Sequence, residues 1–284
     1  MHGRLKVKTT EQQKEEKRKK QQKKLELFQG ASKKAFLKRE NRELDEDALK
    51  LTTEILSLNP DFYSLWNFRK EIILEFKRTR KEEEIIKLFK DDLGFTEICL
   101  RNNPKSYCAW HHRHWVMQNT PKPDWERELK ICNQYLLLDE RNFHCWDYRR
   151  FVVQESGISN NKELEFSSEK IENNFSNYSA WHYRSKLLPL VHAGNSYKKI
   201  DESKLLEEFE LVQNAAFTDP NDQSAWFYHR WLLGRSDSVP EVYSFIISKL
   251  NENHTVVVSF SSPILINEEN KLVLLLNEER VELP

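Results

Sequence analysis

Glycine is scarce in this sequence: it occupies six of the 284 positions, and methionine occupies only two. Sheet-rich proteins need glycine at their many tight turns, so this shortage argues against a β sandwich. No secretory leader is visible, and no apolar run reaches the roughly 18 residues of a membrane-spanning helix. Together with 32% charged residues, the composition predicts a soluble, cytoplasmic protein made mainly of helices.

Cysteine is also scarce, and its four positions follow no spacing typical of a metal site or a disulfide framework. We predict that they are reduced thiols in the core of a cytosolic protein. The four are Cys99, Cys108, Cys132 and Cys145.

The chain has no net charge, but its first part is basic. Residues 1–24 carry ten Lys and Arg against three Glu, so this N-terminal arm is at +7 and the rest of the chain at −7. A basic arm can bind nucleic acid or an acidic membrane, although we favour a solvated helix. The run from Thr9 to Glu40 lacks proline and predicts a long charged helix whose apolar residues begin at Leu25.

A motif centred on tryptophan returns five times along the sequence. Its second copy is Asn103-Pro104, Tyr107, Trp110 and Arg113, and successive tryptophans are 44, 36, 35 and 45 residues apart. Fixed periods in this range are typical of stacked helical repeats. The central residues are Trp66, Trp110, Trp146, Trp181 and Trp226.

Each copy of the motif predicts a pair of helices. An apolar stripe at helical spacing precedes the tryptophan, as in Ile85, Phe89 and Leu93. The stripe ends at Asn-Pro, Asp-Pro or a polar substitute, because proline cannot donate a backbone hydrogen bond. A second helix then opens, with a serine close to the cap position in four copies. These are Ser64, Ser106, Ser179 and Ser224.

The pattern divides the chain into three parts. Residues 1–24 form the basic arm and residues 25–250 the domain of five repeats, with helix pairs over about residues 43–249. Beyond Glu252 the stretches 255–261 and 271–276 are apolar and partly β-branched, and they predict two strands. Because two strands alone are marginal in water, we expect residues 251–284 to be the start of a truncated β-rich domain, in a fragment or a short isoform.

A residue type that returns at one register in several copies is a scaffold candidate. We therefore assign the five tryptophans to the core and the arginine three positions later to pairing between units. The cluster of Cys108, His111, His112 and His114 could suggest a metal or nucleophile site. We reject it, because His182 repeats the register of His111. The arginines are Arg69, Arg113, Arg149 and Arg184.

Lys105 is unique in its register, five residues before the tryptophan, where the other copies have Asp61, Arg141, Ser176 and Asn221. It lies in the turn before a helix N-terminus, near the hydroxyl of Tyr107. That combination suits an anion site. The alternative is a solvated loop lysine.

The five copies of Pro-x-x-Tyr-x-x-Trp-x-x-Arg resemble the repeats of the protein prenyltransferase α-subunit family. The resemblance covers about residues 25–250. Residues 1–6, 142–151 and 219–231, with the β-like tail, resemble the Rab-modifying type II geranylgeranyltransferase branch. The fifth unit departs from the pattern, since Gln223 stands where the aromatic residue belongs.

The resemblance implies an all-α, right-handed superhelix of stacked antiparallel helix pairs that forms a heterodimer with a β subunit. It implies an enzyme, active only in that complex, that transfers geranylgeranyl from geranylgeranyl diphosphate to C-terminal cysteines of Rab GTPases. A Rab escort protein would present the Rab. The tail would be the start of an immunoglobulin-like domain.

The resemblance also implies site residues. Lys105 matches the lysine that the family points at the diphosphate, so it is both a catalytic and a substrate-binding candidate, and Tyr107 is the tyrosine of that motif. The zinc would be bound by the β subunit and none by this chain, so the isolated chain should be inactive. His2 could reach a metal of the partner, although we favour a plain N-terminal histidine.

Two other functions fit helix pairs. A tetratricopeptide-like interaction scaffold would need no lysine at position 105. An RNA-processing scaffold of the half-tetratricopeptide kind would be clearly basic, whereas this chain is neutral overall. We therefore expect no nucleic-acid partner and no stable membrane insertion.

Overall fold

The computed structural model describes residues 11–193, 200–234, 242–250, 253–260, 264, 274–276 and 279–281. The predictions for His2, for residues 1–10, for most of the 190–201 joint and for much of 251–284 lie outside these residues. The described helices are α1 Glu11–Glu40, α2 Glu46–Leu58, α3 Tyr63–Thr79, α4 Glu82–Asn102, α5 Tyr107–Asn119, α6 Trp125–Leu138, α7 Phe143–Ser156, α8 Asn160–Asn173, α9 Tyr178–Val191, α10 Glu202–Thr218 and α11 Gln223–Leu233. The described strands are β1 Val242–Leu250, β2 Asn253–Phe260, β3 Leu274–Leu276 and β4 Glu279–Val281.

Helices α2 to α11 follow one another as the five predicted pairs, which confirms the helix-pair repeat. Direct packing joins α2 to α3, α4 to α5, α6 to α7 and α10 to α11. The chain divides into two compact units, residues 1–180 and 181–284. None of the described helices is long and apolar enough to cross a membrane.

The turn between the two helices of a pair is closed by the repeated tryptophan. Its indole Nε1 donates a hydrogen bond to the backbone carbonyl six residues earlier, which explains the fixed spacing from the turn. The core assignment is wrong for Trp226, whose exposed fraction is 43%. These bonds join Trp66 to Pro60 at 2.8 Å, Trp110 to Pro104 at 2.9 Å, Trp146 to Glu140 at 2.8 Å and Trp226 to Pro220 at 3.0 Å.

The predicted serine cap is confirmed at α5, where Ser106 Oγ accepts a hydrogen bond from the Ala109 amide at 3.2 Å. Ser64 and Ser224 instead lie inside α3 and α11. Asn142 and Asp222 provide the side-chain caps of α7 and α11. A short polar side chain four residues before the tryptophan therefore caps α5, α7 and α11, although its identity varies, whereas α3 has no side-chain cap.

The repeated arginines tie successive pairs together, as predicted. Arg113 on α5 donates through Nε and Nη2 to both carboxylate oxygens of Glu128 on α6, each at 2.7 Å. Its Nη1 donates to the Leu93 carbonyl and the Thr96 hydroxyl of α4 at 2.9 and 2.8 Å. The guanidinium of Arg113 therefore joins its own helix, α5, to both α4 and α6. The equivalent ion pairs are Arg69–Asp92, Arg149–Glu163 and Arg184–Glu208.

The predicted charged helix is α1, and it runs without a break through the predicted boundary at residues 24 and 25. Its C-terminal half is fixed to the first pair. Arg39 donates to both oxygens of Glu71 at 2.5 and 3.1 Å. Phe28 and Phe36 lie against Phe62, with ring centroids 5.9 and 5.8 Å apart.

The prediction of helix pairs up to residue 249 is wrong at its end. The last described helix ends at Leu233, and Val242–Leu250 is strand β1, because this run is rich in β-branched and aromatic residues. It pairs with β2 in an antiparallel hairpin in which Ile247 lies opposite Val256. Strand β2 confirms the strand predicted at 255–261, and β3 lies within the stretch predicted at 271–276.

Candidate functional site

Lys105 lies in the turn between α4 and α5, immediately before Ser106, the N-cap of α5. Its side chain has an exposed fraction of 68%, and its Nζ lies 3.4 Å from Asp139 Oδ2. This contact is longer than a good charge-assisted hydrogen bond. The ammonium is therefore held only loosely and can turn toward an anion near the α5 N-terminus.

The backbone of this turn is fixed by the turns on both sides. Asp61, in the preceding turn, accepts hydrogen bonds from Ser106 Oγ at 2.5 Å and from Asn103 Nδ2 at 3.0 Å. In the following turn, Asn142 Nδ2 donates to the Pro104 carbonyl at 3.0 Å. The Lys105 backbone is therefore well positioned, while its side chain reaches into solvent.

Tyr107 is the first residue of α5, and it has an exposed fraction of 68%. Its ring packs edge-on against His144, with centroids 4.2 Å apart, and lies 5.9 Å from Phe143. The sequence places Lys105 and Tyr107 two residues apart, and the structure keeps both exposed at the start of one helix. Both predicted site residues therefore lie exposed at the N-terminal end of α5.

Sequence reasoning missed His144, which the structure places beside Tyr107. Burial lowers its pKa most, the charge of Lys105 lowers it further, and Asp147 and Asp61 oppose both effects. The lowered pKa favours the neutral imidazole at pH 7. The sequence did contain an indication of His144, because the other four repeats have a small side chain two residues before the tryptophan. These residues are Ser64, Cys108, Ser179 and Ser224.

The cysteine and histidine cluster on α5 does not form one site. His112 is fully buried, and its Nε2 lies 2.7 Å from Asp92 Oδ2. Burial raises the pKa of the Cys108 thiol, the opposite of what a nucleophile needs. Among the residues that the structure describes, no group of three or more His, Cys, Asp or Glu side chains could hold a metal ion.

An exposed aromatic residue opens the second helix of each of the first four pairs. These residues lie three positions before the buried tryptophan, and each is at least half exposed. Exposed aromatic rows of this kind are typical of protein interfaces. The members of this aromatic row are Tyr63 at 59%, Tyr107 at 68%, Phe143 at 51% and Tyr178 at 50%.

The sequence matches the family described as protein prenyltransferase alpha subunit repeat at residues 45–76, 89–120, 125–156, 160–190 and 205–236. These five matches correspond to the five helix pairs α2–α3 to α10–α11.

Several proteins from other organisms resemble this chain. It is 50% identical to the human geranylgeranyl transferase type-2 subunit alpha over 282 residues, which cover 98% of this chain and 49% of the human one. It is 41% identical to the protein of the same name from Dictyostelium discoideum over 244 residues, or 84% of this chain and 77% of that one. The chain thus spans about half the length of its mammalian relatives.

A solved structure also resembles the fold. A chain of Candida albicans protein geranylgeranyltransferase-I complexed with GGPP matches with a TM-score of 0.62 and 25% sequence identity. The match covers 75% of this chain and 68% of that chain.

Proposed function

Because this chain belongs to the protein prenyltransferase α-subunit family, we propose that it is the α subunit of a type II geranylgeranyltransferase. In this proposal it assembles with a β subunit in the cytoplasm. The complex transfers geranylgeranyl from geranylgeranyl diphosphate to C-terminal cysteines of Rab GTPases presented by a Rab escort protein. The names of the relatives support the enzyme class.

The β subunit would dock on the face that carries the aromatic row. The row exposes Tyr63, Tyr107 and Phe143. Covering these large aromatic rings with a partner protein would remove apolar surface from water and so stabilise the complex. The proposal places the zinc in the β subunit.

Lys105 would stabilise the diphosphate leaving group. When the bond to the isoprenoid breaks, negative charge grows on the diphosphate, and a cation placed there in advance lowers the barrier. The single observation that carries this role is an exposed ammonium at the N-terminus of α5, 3.4 Å from its nearest carboxylate. The amide groups of that helix end also favour an anion. Tyr107 would orient the diphosphate through its hydroxyl.

An interaction scaffold without a catalytic role is less well supported. It would explain the helix pairs, but membership of this family favours the subunit, as does the exposed Lys105, a residue type that no other repeat has at that register.

The test is geranylgeranyl transfer to a Rab protein by this chain with a type II β subunit and an escort protein. Lys105→Ala should lower kcat about tenfold or more, because a charge that acts mainly in the transition state is lost. Binding of the β subunit should not change.

Lys130→Ala is the matched control, since Lys130 is equally exposed on α6 and lies 3.9 Å from Glu126. If Lys105→Ala turns over like the Lys130 variant, Lys105 is a solvated loop residue and only the subunit role remains. If no β subunit associates with the chain, the subunit role is wrong as well.

A further inference from the structure

Lys70 on α3 forms a cluster with two histidines of α5, His111 and His114, and the proposed transfer reaction uses none of the three. Its Nζ lies 3.4 Å from His111 Nδ1 and 5.5 Å from the centre of the Trp115 ring. His114 stacks on Phe151 with ring centroids 3.7 Å apart. Aromatic side chains thus surround the cluster on two sides.

The ammonium of Lys70 is half-buried, and burial lowers its pKa. In the part of the chain that the structure describes, no carboxylate lies within ion-pair distance of its Nζ. A cation that loses water without gaining an anion destabilises the fold. By contrast, the buried arginines of the same two helices, Arg69 on α3 and Arg113 on α5, both have carboxylate partners.

Lys70 is the main source of positive charge in the cluster, because the pKa values of both histidines are lowered. Burial lowers the pKa of His111 most, and the charge of Lys70 lowers it further. Burial, then His111 and Lys70, lower the pKa of His114, although Glu155 opposes them. Both imidazoles are therefore neutral and can donate or accept hydrogen bonds. One charge beside two imidazoles fits a carboxylate better than a diphosphate, which carries several charges.

The position of the cluster indicates which molecule supplies the carboxylate. Tyr107, His111 and His114 are four and three residues apart on α5, so they share one face of that helix. Tyr107 belongs to the aromatic row where the β subunit would dock. A partner that covers Tyr107 would therefore also cover the cluster.

We propose that Lys70, with His111 and His114, forms a binding site for an aspartate or glutamate side chain of the β subunit. This inference rests on the proposed function. The cluster gives the interface specificity, because only a partner with an acidic group at this point compensates the half-buried ammonium.

The experiment measures the affinity of the full chain for a type II β subunit at low and high salt. Lys70→Met should weaken binding about tenfold at low salt and flatten the salt dependence, because one charge pair is lost. Lys70→Arg keeps the charge and should retain most of the affinity. Lys87→Met is the control, since Lys87 is an exposed lysine on α4.

A second readout separates this role from a structural one. The free Lys70→Met chain should melt at the same temperature as the wild type or higher, because an uncompensated half-buried charge is removed. A lysine that merely supports the fold would lower the melting temperature. If the wild type binds the β subunit and Lys70→Met binds equally well with the same salt dependence, the carboxylate site is wrong and the subunit role stands. If the wild type does not bind, both proposals fail.

Discussion

Arg69 donates its Nε hydrogen to Asp92 Oδ1 at 2.6 Å, and this buried ion pair joins the first helix pair to the second. The same carboxylate lies 2.7 Å from His112 Nε2, on the second helix of its own pair. The arrangement returns in other repeats with tyrosine in place of histidine. Glu128 binds Arg113 and Tyr148, and Glu208 binds Arg184 and Tyr228. Each of these buried carboxylates thus accepts bonds from two different helices.

Replacing Arg113 should destabilise the chain strongly. Arg113→Met leaves Glu128 buried without its cation, so the free energy of unfolding should fall by about 3–5 kcal/mol. Urea unfolding followed by circular dichroism measures the change. Arg127→Met is the control: Arg127 also pairs with a glutamate, at 2.5 Å from Glu97, but its side chain is 40% exposed. Its loss should cost about 1 kcal/mol or less. Equal losses of stability in the two variants would mean that burial of the Arg113–Glu128 ion pair is unimportant.

Asp92 should make the free energy of unfolding depend on pH in the acidic range. Burial opposes its ionisation, but the charges of Arg69 and His112 and their hydrogen bonds outweigh burial and lower its pKa from 3.8 to about 2. A lowered pKa in the folded state stabilises the fold above the unfolded value of 3.8, and this contribution disappears as the pH falls toward 2.

The test compares unfolding of the wild type and Asp92→Asn between neutral pH and pH 2. The variant should be less stable at neutral pH, and the difference should shrink by about 2 kcal/mol on acidification. A difference that stays constant with pH would show that the Asp92 carboxylate is not held ionised by its neighbours.

The repeat motif predicted much of this molecule, because its residues act locally. The proline, the tryptophan and the capping side chain all bond within one turn, so their spacing is visible in the sequence. The pairing role of Arg113 followed from its recurrence. Its partner did not, since Glu128 lies 15 residues away on another helix and only packing brings the two together.

The predictions that the structure corrected also depended on packing that the sequence does not show. The short apolar run at Val242–Leu250 suits a strand or a buried helix, and periodicity alone does not separate them. Trp226 keeps the motif but is partly exposed, because exposure depends on what packs over the repeat. His144 was visible only as the one bulky side chain in a register of small ones, and its contact with Tyr107 needed the structure.

The tryptophans should differ in importance despite their shared motif. Trp110 is 5% exposed and donates to the Pro104 carbonyl, so Trp110→Phe loses both packing and a partly buried hydrogen bond. We expect a loss of about 2–3 kcal/mol in the free energy of unfolding. Trp226→Phe makes the same chemical change at a residue that is 43% exposed, and it should cost less than about 1 kcal/mol. Equal costs would contradict the view that burial sets the value of the indole.

Asp139 should restrain Lys105 in the absence of substrate, because its Oδ2 lies 3.4 Å from the Lys105 Nζ. Asp139→Asn removes the competing negative charge, so in the complex with the β subunit the affinity for inorganic diphosphate should rise. The rise should be at most about fivefold, since exposed ion pairs are weak. Competition by diphosphate against geranylgeranyl diphosphate measures it. The effect should vanish when Lys105→Ala is already present, because the two residues would act through one contact. A gain that persists without Lys105 would mean that Asp139 repels the diphosphate directly.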